Sequence, residues 1–201
     1  EGLATLTLNR PAAYNSFGGP LVEELLGIFR TRETDPEVRV LILTGAGQAF
    51  CAGGDLEYIR EKLSGPAEGR NFIKRVGELA RSIYHFRCPT IAMVGGVAAG
   101  AGANLALACD FIYCSASARF GQSFANVGLI PDAGGDYFLP RAVGRARAKE
   151  LMFTGALIDA ATALEIGLVN RVVEADQLEQ TVRALAEKLA AMDVSLFLPI
   201  L

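Results

Sequence analysis

Asp132 stands where an apolar run meets a cluster of glycines, in Val127-Gly128-Leu129-Ile130-Pro131-Asp132-Ala133-Gly134-Gly135. Two chemistries are open to a carboxylate so placed. It can cap the helix that the glycines introduce, which lowers its pKa, or it can lie desolvated beside Ile130 and Phe124, which raises its pKa toward that of a working base. Spacing alone favours the cap. Two other segments could do chemistry with main-chain atoms only: Cys51-Ala52-Gly53-Gly54-Asp55-Leu56 and Gly96-Val97-Ala98-Ala99-Gly100-Ala101-Gly102-Ala103. Each follows an apolar run and leads into a short helix. Each therefore leaves unpaired N–H groups at the positive end of a helix dipole, a place for an anion or a developing oxyanion. The plainer reading of both is a tight strand-to-helix turn. Asp55 reads as a helix-start residue and Asp110 as a strand-edge hydrogen bonder.

Other chemistries are excluded by what is scarce. With one histidine, His85, a multi-histidine metal site cannot form, and no metal is expected. His85 precedes Cys88-Pro89 and reads as a structural group at a helix end. Acid and base work therefore falls to carboxylates. Gly45-Ala46-Gly47-Gln48-Ala49-Phe50 and Gly100-Ala101-Gly102-Ala103-Asn104-Leu105 both lack the third glycine of a dinucleotide fingerprint, and neither a Walker A nor a G-x-S-x-G sequence occurs. A net charge of −3 offers no broad basic face to nucleic acid or to an anionic membrane. The four cysteines, Cys51, Cys88, Cys109 and Cys114, form no C-x-x-C pair and read as reduced core thiols of a cytoplasmic protein. The uncharged run from Cys88 to Cys109 contains Gly96-x-x-x-Gly100, but Pro89, the glycines and Asn104 break it into a buried strand, a turn and a buried helix.

The elements that must position these residues alternate along the chain. Periodicity predicts strands over Leu3–Asn9, Val38–Thr44, Thr90–Val94, Cys109–Cys114 and Leu168–Val173. Helices are predicted over Pro20–Arg32, 57–64, 68–87, Ala103–Ala108, 135–153, Asp159–Ile166 and Asp176–Ala191. Residues 45–56 and 95–102 read as loop and turn, and Phe120–Pro131 as irregular. This alternation is an α/β pattern with largely parallel sheets, in one domain over residues 1–201. The first residues already read as strand, so no signal peptide is expected within the chain.

FCAGGDL, PTIAMVGGVAAGAGANLALACD and VGLIPDAGGDYFLPRAVGRARAKELMFTG, in that order, resemble the enoyl-CoA hydratase/isomerase, or crotonase, superfamily. The likeness runs from LTLNRP through ALEIGLVNRVV. It implies a spiral of ββα units, assembled as trimers or dimers of trimers, acting on acyl-CoA thioesters with no covalent cofactor, the coenzyme A being carried by the substrate. Carried over by position, the N–H groups of Gly54 and Ala101 would polarise the thioester carbonyl and hold an enolate, and Ala52, Asp55, Asn104 and Phe124 would lie around the substrate. Family hydratases carry two glutamates, and at those positions this chain has Asn104 and Phe124. Asp132 matches the base of an isomerase branch that includes dienoyl-CoA isomerases and the phenylacetate-pathway isomerases. GVAAGAGANLAL and LIPDAGG look most like the latter, which also shift 3-enoyl to 2-enoyl-CoA. The dehalogenase branch places a nucleophilic aspartate there, beside a tryptophan and a histidine that this chain does not supply. The resemblance thus implies an isomerase in which Asp132 shuttles a proton, kept dry by Phe124, Phe120 and Ile130. The alternatives are a hydratase with non-standard acid/base residues and a catalytically inactive scaffold. RPAAYNSF has alanines where the family often has a basic residue near the CoA phosphates. LFLPIL, at 196–201, falls before the terminal helices of relatives, so the helical C-terminal region is expected to be largely missing.

Overall fold

The computed structural model describes residues 2–193; the expectation about the helical C-terminal region falls on residues outside these. Three of the apolar runs form a strand and then hand the chain to a second, shorter strand before a helix begins. In chain order the elements are β1 (Leu3–Leu8), α1 (Gly19–Arg32), β2 (Val40–Gly45), β3 (Ala49–Cys51), α2 (Leu56–Lys62), α3 (Pro66–Tyr84), β4 (Thr90–Val94), β5 (Val97–Ala99), α4 (Ala101–Leu107), β6 (Phe111–Ser115), β7 (Arg119–Gly121), α5 (Gly135–Thr154), β8 (Leu157–Asp159), α6 (Ala160–Glu165), β9 (Arg171–Val173) and α7 (Leu178–Ala190).

The longer strands, with the short β9 at the edge, make a five-stranded sheet in the order β1-β2-β4-β6-β9, parallel throughout. The shorter ones make a second sheet, β3-β5-β7-β8, in which only β7 and β8 run antiparallel. A chain that visits the two sheets in alternation winds as a spiral of ββα units, the fold that the resemblance implies. Parallel strands need both faces covered. Leu41 and Leu43 of β2 face the main core under α1 and α3, whereas Val40 and Ile42 meet Leu178, Val182 and Leu189 of α7. Phe29 of α1 closes the main core edge-on against Phe86, with ring centroids 5.7 Å apart.

Four short strands depart from the sequence reading. β3 and β5 lie inside segments expected to be loop and turn, β7 ends within the stretch expected to be irregular, and β8 precedes α6. Three-residue strands carry no readable period; they exist because a neighbour pairs with them, parallel for β3, β5 and β7 and antiparallel for β8. The last strand also shrinks to Arg171–Val173, with Leu168 and Val169 buried in the main core as a connection. Among the described residues no helix is long and apolar enough to cross a membrane. The run from Cys88 to Cys109 contains β4, β5 and α4.

All four thiols are free and buried. Burial pushes Cys51 up to about 12 and Cys88 and Cys114 up to about 11, and it raises Cys109 further. Thiols so desolvated carry almost no thiolate near neutrality. Iodoacetamide at pH 8 is accordingly expected to leave the native protein unlabelled and to add four groups after unfolding, counted by intact mass. Rapid native labelling would refute this.

Candidate active site

β3, β5 and β7 are adjacent parallel strands, and each releases one piece of the site at its C-terminal end. The register Cys51↔Ala98 and Ala99↔Gly121 brings the three exits together. Ligand sites of α/β folds form at such strand ends because the exiting loops converge there.

The exit from β3 is clamped by the segment before α1. Phe17 N donates to Gly53 O at 2.9 Å and Asp55 N donates to Phe17 O at 3.0 Å. A bridge that uses the residues on either side of Gly54 turns the Gly54 N–H away from it. Among the described residues that N–H has no acceptor, and Gly54 lines an open pocket of about 360 Å³. The exit from β5 passes through Gly100, whose φ of 53° and ψ of −131° suit a glycine, into the first turn of α4. Ala101, as the first helical residue, also has an N–H without an acceptor among the described residues, and it lines the same pocket. The two loops are in direct contact. A Cβ on Gly53 would stand 3.2 Å from Ala101 N, and one on Gly102 would come within 2.2 Å of Cys51 O.

The third exit, from β7, runs through a 3-10 turn at Ser123–Val127 to Asp132. Asp132 does not cap α5. The cap position belongs to Gly134, no side chain caps this helix, and Asp132 Oδ1 is buried with no hydrogen-bond partner among the described residues. Desolvation pushes its pKa up to about 6, opposed only by its own backbone N–H. Of the two placements open to it, Asp132 therefore takes the desolvated one and not the cap. Asp132 O accepts from Gly135 N at 2.9 Å across Ala133 and Gly134, whose φ values are 49° and 76°. Two consecutive left-handed residues are costly for Ala133, about 1–2 kcal/mol, so the surroundings must hold this turn.

Asp132 is the one carboxylate among the described residues lining the pocket, with Ala52 and Phe124 beside it and Leu56, Phe72 and Val76 forming an apolar wall. Phe124 is buried, but Ile130 is 85% exposed and Phe120 lines a separate small void under α4. Of the three apolar residues expected around Asp132, only Phe124 lines its pocket. Asp55 faces elsewhere. It caps α2 through the Tyr58 N–H at 3.1 Å, pairs with Arg10 at 3.1 Å, and lines a neighbouring groove. The Tyr58 N–H and then Arg10 hold it below the usual carboxylate range. Two aspartates beside glycine loops thus have pKa values driven in opposite directions, one toward permanent charge and one toward proton exchange. Asn104 is fully buried and does not line the pocket. Its side chain donates to the main-chain oxygen of Asp132. Asp110 accepts from Thr90 N and Oγ1 at 2.7 and 2.8 Å, as a strand-edge bonder, and His85 caps α3 on the surface.

Asn15 was invisible to sequence reasoning. Fully buried and at φ 56°, it donates to Ala46 O and Ala49 O at 2.9 and 2.7 Å and accepts from Arg10 N at 2.8 Å, which ties the RPAAYNSF segment to β3. The available signal was an asparagine after Tyr14, since asparagine tolerates left-handed backbone.

A family model described as Enoyl-CoA hydratase/isomerase matches residues 1–197. The chain is 42% identical, over 94% of its length and 73% of the relative's, to the 1,2-epoxyphenylacetyl-CoA isomerase of Escherichia coli (strain K12). It is 38% identical, over 97% of its length and 74% of the relative's, to the probable enoyl-CoA hydratase echA8 of Mycobacterium tuberculosis. Among solved structures, enoyl-CoA hydratase from Bacillus anthracis superposes with a TM-score of 0.92 at 38% identity, covering 96% of this chain and 74% of that one.

Proposed function

The chain belongs to the enoyl-CoA hydratase/isomerase family, and from that membership we propose that it is an acyl-CoA thioester isomerase of the 3-enoyl to 2-enoyl or ring-epoxide type, with Asp132 as its single base. The observation that carries this reading is the solitary carboxylate: among the described residues Asp132, with an unpartnered oxygen and a pKa near 6, shares a pocket with two free N–H donors and no second acid. Hydration by paired carboxylates needs two groups to hold and activate a water. Isomerisation needs one group that gives back the proton it takes.

In the 3-enoyl case the Asp132 carboxylate removes a proton from C2 of the thioester. The C2–H electron pair delocalises into a dienolate, and its oxygen accepts from the N–H groups of Gly54 and Ala101. The same carboxyl then returns the proton at C4, leaving the double bond between C2 and C3. A dry pocket favours both steps, because a desolvated carboxylate is a stronger base and water is kept from the dienolate. Each main-chain donor aimed at developing charge contributes about 3–4 kcal/mol in comparable sites. The same reading sets the enzyme in the cytoplasm as a homotrimer or dimer of trimers. Phe153, Leu157 and Leu164, exposed near β8 and α6, offer apolar surface for such an assembly.

The test is a panel of 3-enoyl, 2-enoyl and ring-epoxide CoA thioesters read by mass spectrometry and absorbance. Isomerisation conserves mass, whereas hydration adds one water. A mass-neutral product is expected from 3-enoyl or ring-epoxide substrate, at a rate exceeding hydration by roughly a hundredfold or more. Dominant hydration of 2-enoyl-CoA would overturn the reading.

A further inference from the structure

Two buried amides behind Asp132 have no part in the proposal above. Asn104, on α4, donates from Nδ2 to the main-chain oxygen of Asp132 at 2.8 Å. Its Oδ1 accepts from Gln122 Nε2 at 2.7 Å. Asn104 is 0% exposed and Gln122 3%. We propose that Asn104, steered by Gln122, is a positioning residue for the Asp132 side chain, fixing the turn that aims the carboxylate into the pocket. This inference rests on the reading of Asp132 as the base.

The Gln122 donor decides which way the Asn104 amide faces. With Oδ1 committed to Gln122, Nδ2 must point at the turn, and the amide cannot flip without setting two acceptors against each other. The amide packs directly on the backbone of Gly135, where a Cβ would lie 2.3 Å from Asn104 Nδ2. The start of α5 therefore rests on this amide. Asp132 O receives two donors, Asn104 Nδ2 and Gly135 N, across a pair of left-handed residues that would not hold their conformation unaided.

The choice of acceptor matters chemically. A donor on the carboxylate itself would favour its charged form and weaken it as a base. A donor on the carbonyl of the same residue fixes the direction of the side chain and leaves its charge alone. Asn104 also lies one helical turn after Ala101 on α4. One side chain thus sets the spacing between the base and a main-chain donor, where a displacement near 1 Å can cost about a hundredfold in rate. The position that a family hydratase gives to a glutamate is used here to hold another residue's backbone.

The experiment is a double-mutant cycle on 3-enoyl-CoA isomerisation with Asn104→Ala, Asp132→Asn and the pair. Asn104→Ala is expected to lower kcat about ten- to a hundredfold with KM within about twofold. Added to Asp132→Asn it is expected to remove no further activity, since its effect passes through the carboxylate. An equal loss in both backgrounds would show general structural damage and overturn the proposal, as would unchanged kcat in the single variant. If Asn104→Ala fails to fold, Gln122→Met frees the amide to turn and should give a smaller loss with the same non-additivity; additivity there would likewise overturn it. An active Asp132→Asn would remove the base itself and the proposal with it. An inactive Asp132→Asn beside a neutral Asn104→Ala would remove only the positioning role.

Discussion

Asp132→Asn is expected to lower kcat by about two to four orders of magnitude and, in the same protein, to raise stability at neutral pH. Both effects follow from one carboxylate held in the wrong surroundings for its charge. The side chain keeps its shape as an amide, so the pocket survives while the proton acceptor is lost. The stability effect follows from linkage. The folded-state pKa of Asp132 is raised from 3.8 to about 6, so folding favours the protonated form. Below the unfolded value both states are protonated and the native protein carries no penalty. As pH rises from 3.8 to about 6 the unfolded chain ionises while the folded carboxyl stays protonated, so stability falls, by about 2–3 kcal/mol in all once pH has passed about 6, two units at 1.36 kcal/mol each. Asparagine never ionises and escapes that loss. Thermal unfolding at pH 8 should therefore occur roughly 5–10 °C higher in the variant, with the difference vanishing below about pH 4. In the wild type, kcat/KM should fall on the acid side with a midpoint near 6. A variant with kcat within threefold of wild type, or with a lower melting temperature at pH 8, would refute the assignment.

What the sequence disclosed of this site, and what it withheld, divides along a physical line. The long strands were legible because Leu3–Leu8 alternates and Val40–Thr44 is uniformly apolar, and α3 and α7 because their apolar residues recur on one face. The glycine loops were legible as places where N–H groups are left over. Which way those groups point was not, because the Gly54 N–H is freed by the Phe17 bridge to residues 53 and 55, a contact made across the chain. The short strands that align the loops leave no periodic trace. Asp132 showed its alternatives in the sequence, but desolvation decides between them, and desolvation is a property of packing. Ile130 marks the boundary of such inference. Adjacency in sequence suggested that it covers Asp132, yet the chain turns it into solvent, while Phe124 from the preceding turn is buried and lines the pocket. For Asn104, position in the family pattern suggested substrate contact. Its hydrogen bonds show an amide spent wholly on Gln122 and the Asp132 backbone.

A main-chain donor can be deleted where a helix begins, and Ala101→Pro would do so. Ala101 is the first residue of α4, and its N–H has no acceptor among the described residues, so proline removes no helical hydrogen bond there. Proline is favoured at first helical positions for that reason. The residue before it raises no obstacle, since Gly100 at ψ −131° lies outside the α region that a following proline disfavours. The substitution should then cost about 1 kcal/mol or less in stability while lowering kcat about 10²- to 10³-fold, the effect of losing one of two donors on a developing oxyanion. Binding separates this from a blocked pocket. A saturated acyl-CoA forms no enolate, so its affinity, measured by titration calorimetry, should change by less than about tenfold, because a donor that acts on developing charge serves the transition state more than the ground state. Ala101→Gly supplies the control, as it keeps the N–H and removes only a buried methyl, and it should retain kcat within several-fold of wild type. If Ala101→Pro folds, binds and turns over at the wild-type rate, the enolate oxygen is not held at Ala101. If the glycine variant is as damaged as the proline variant, the packing of α4 and not its first N–H is what the site requires.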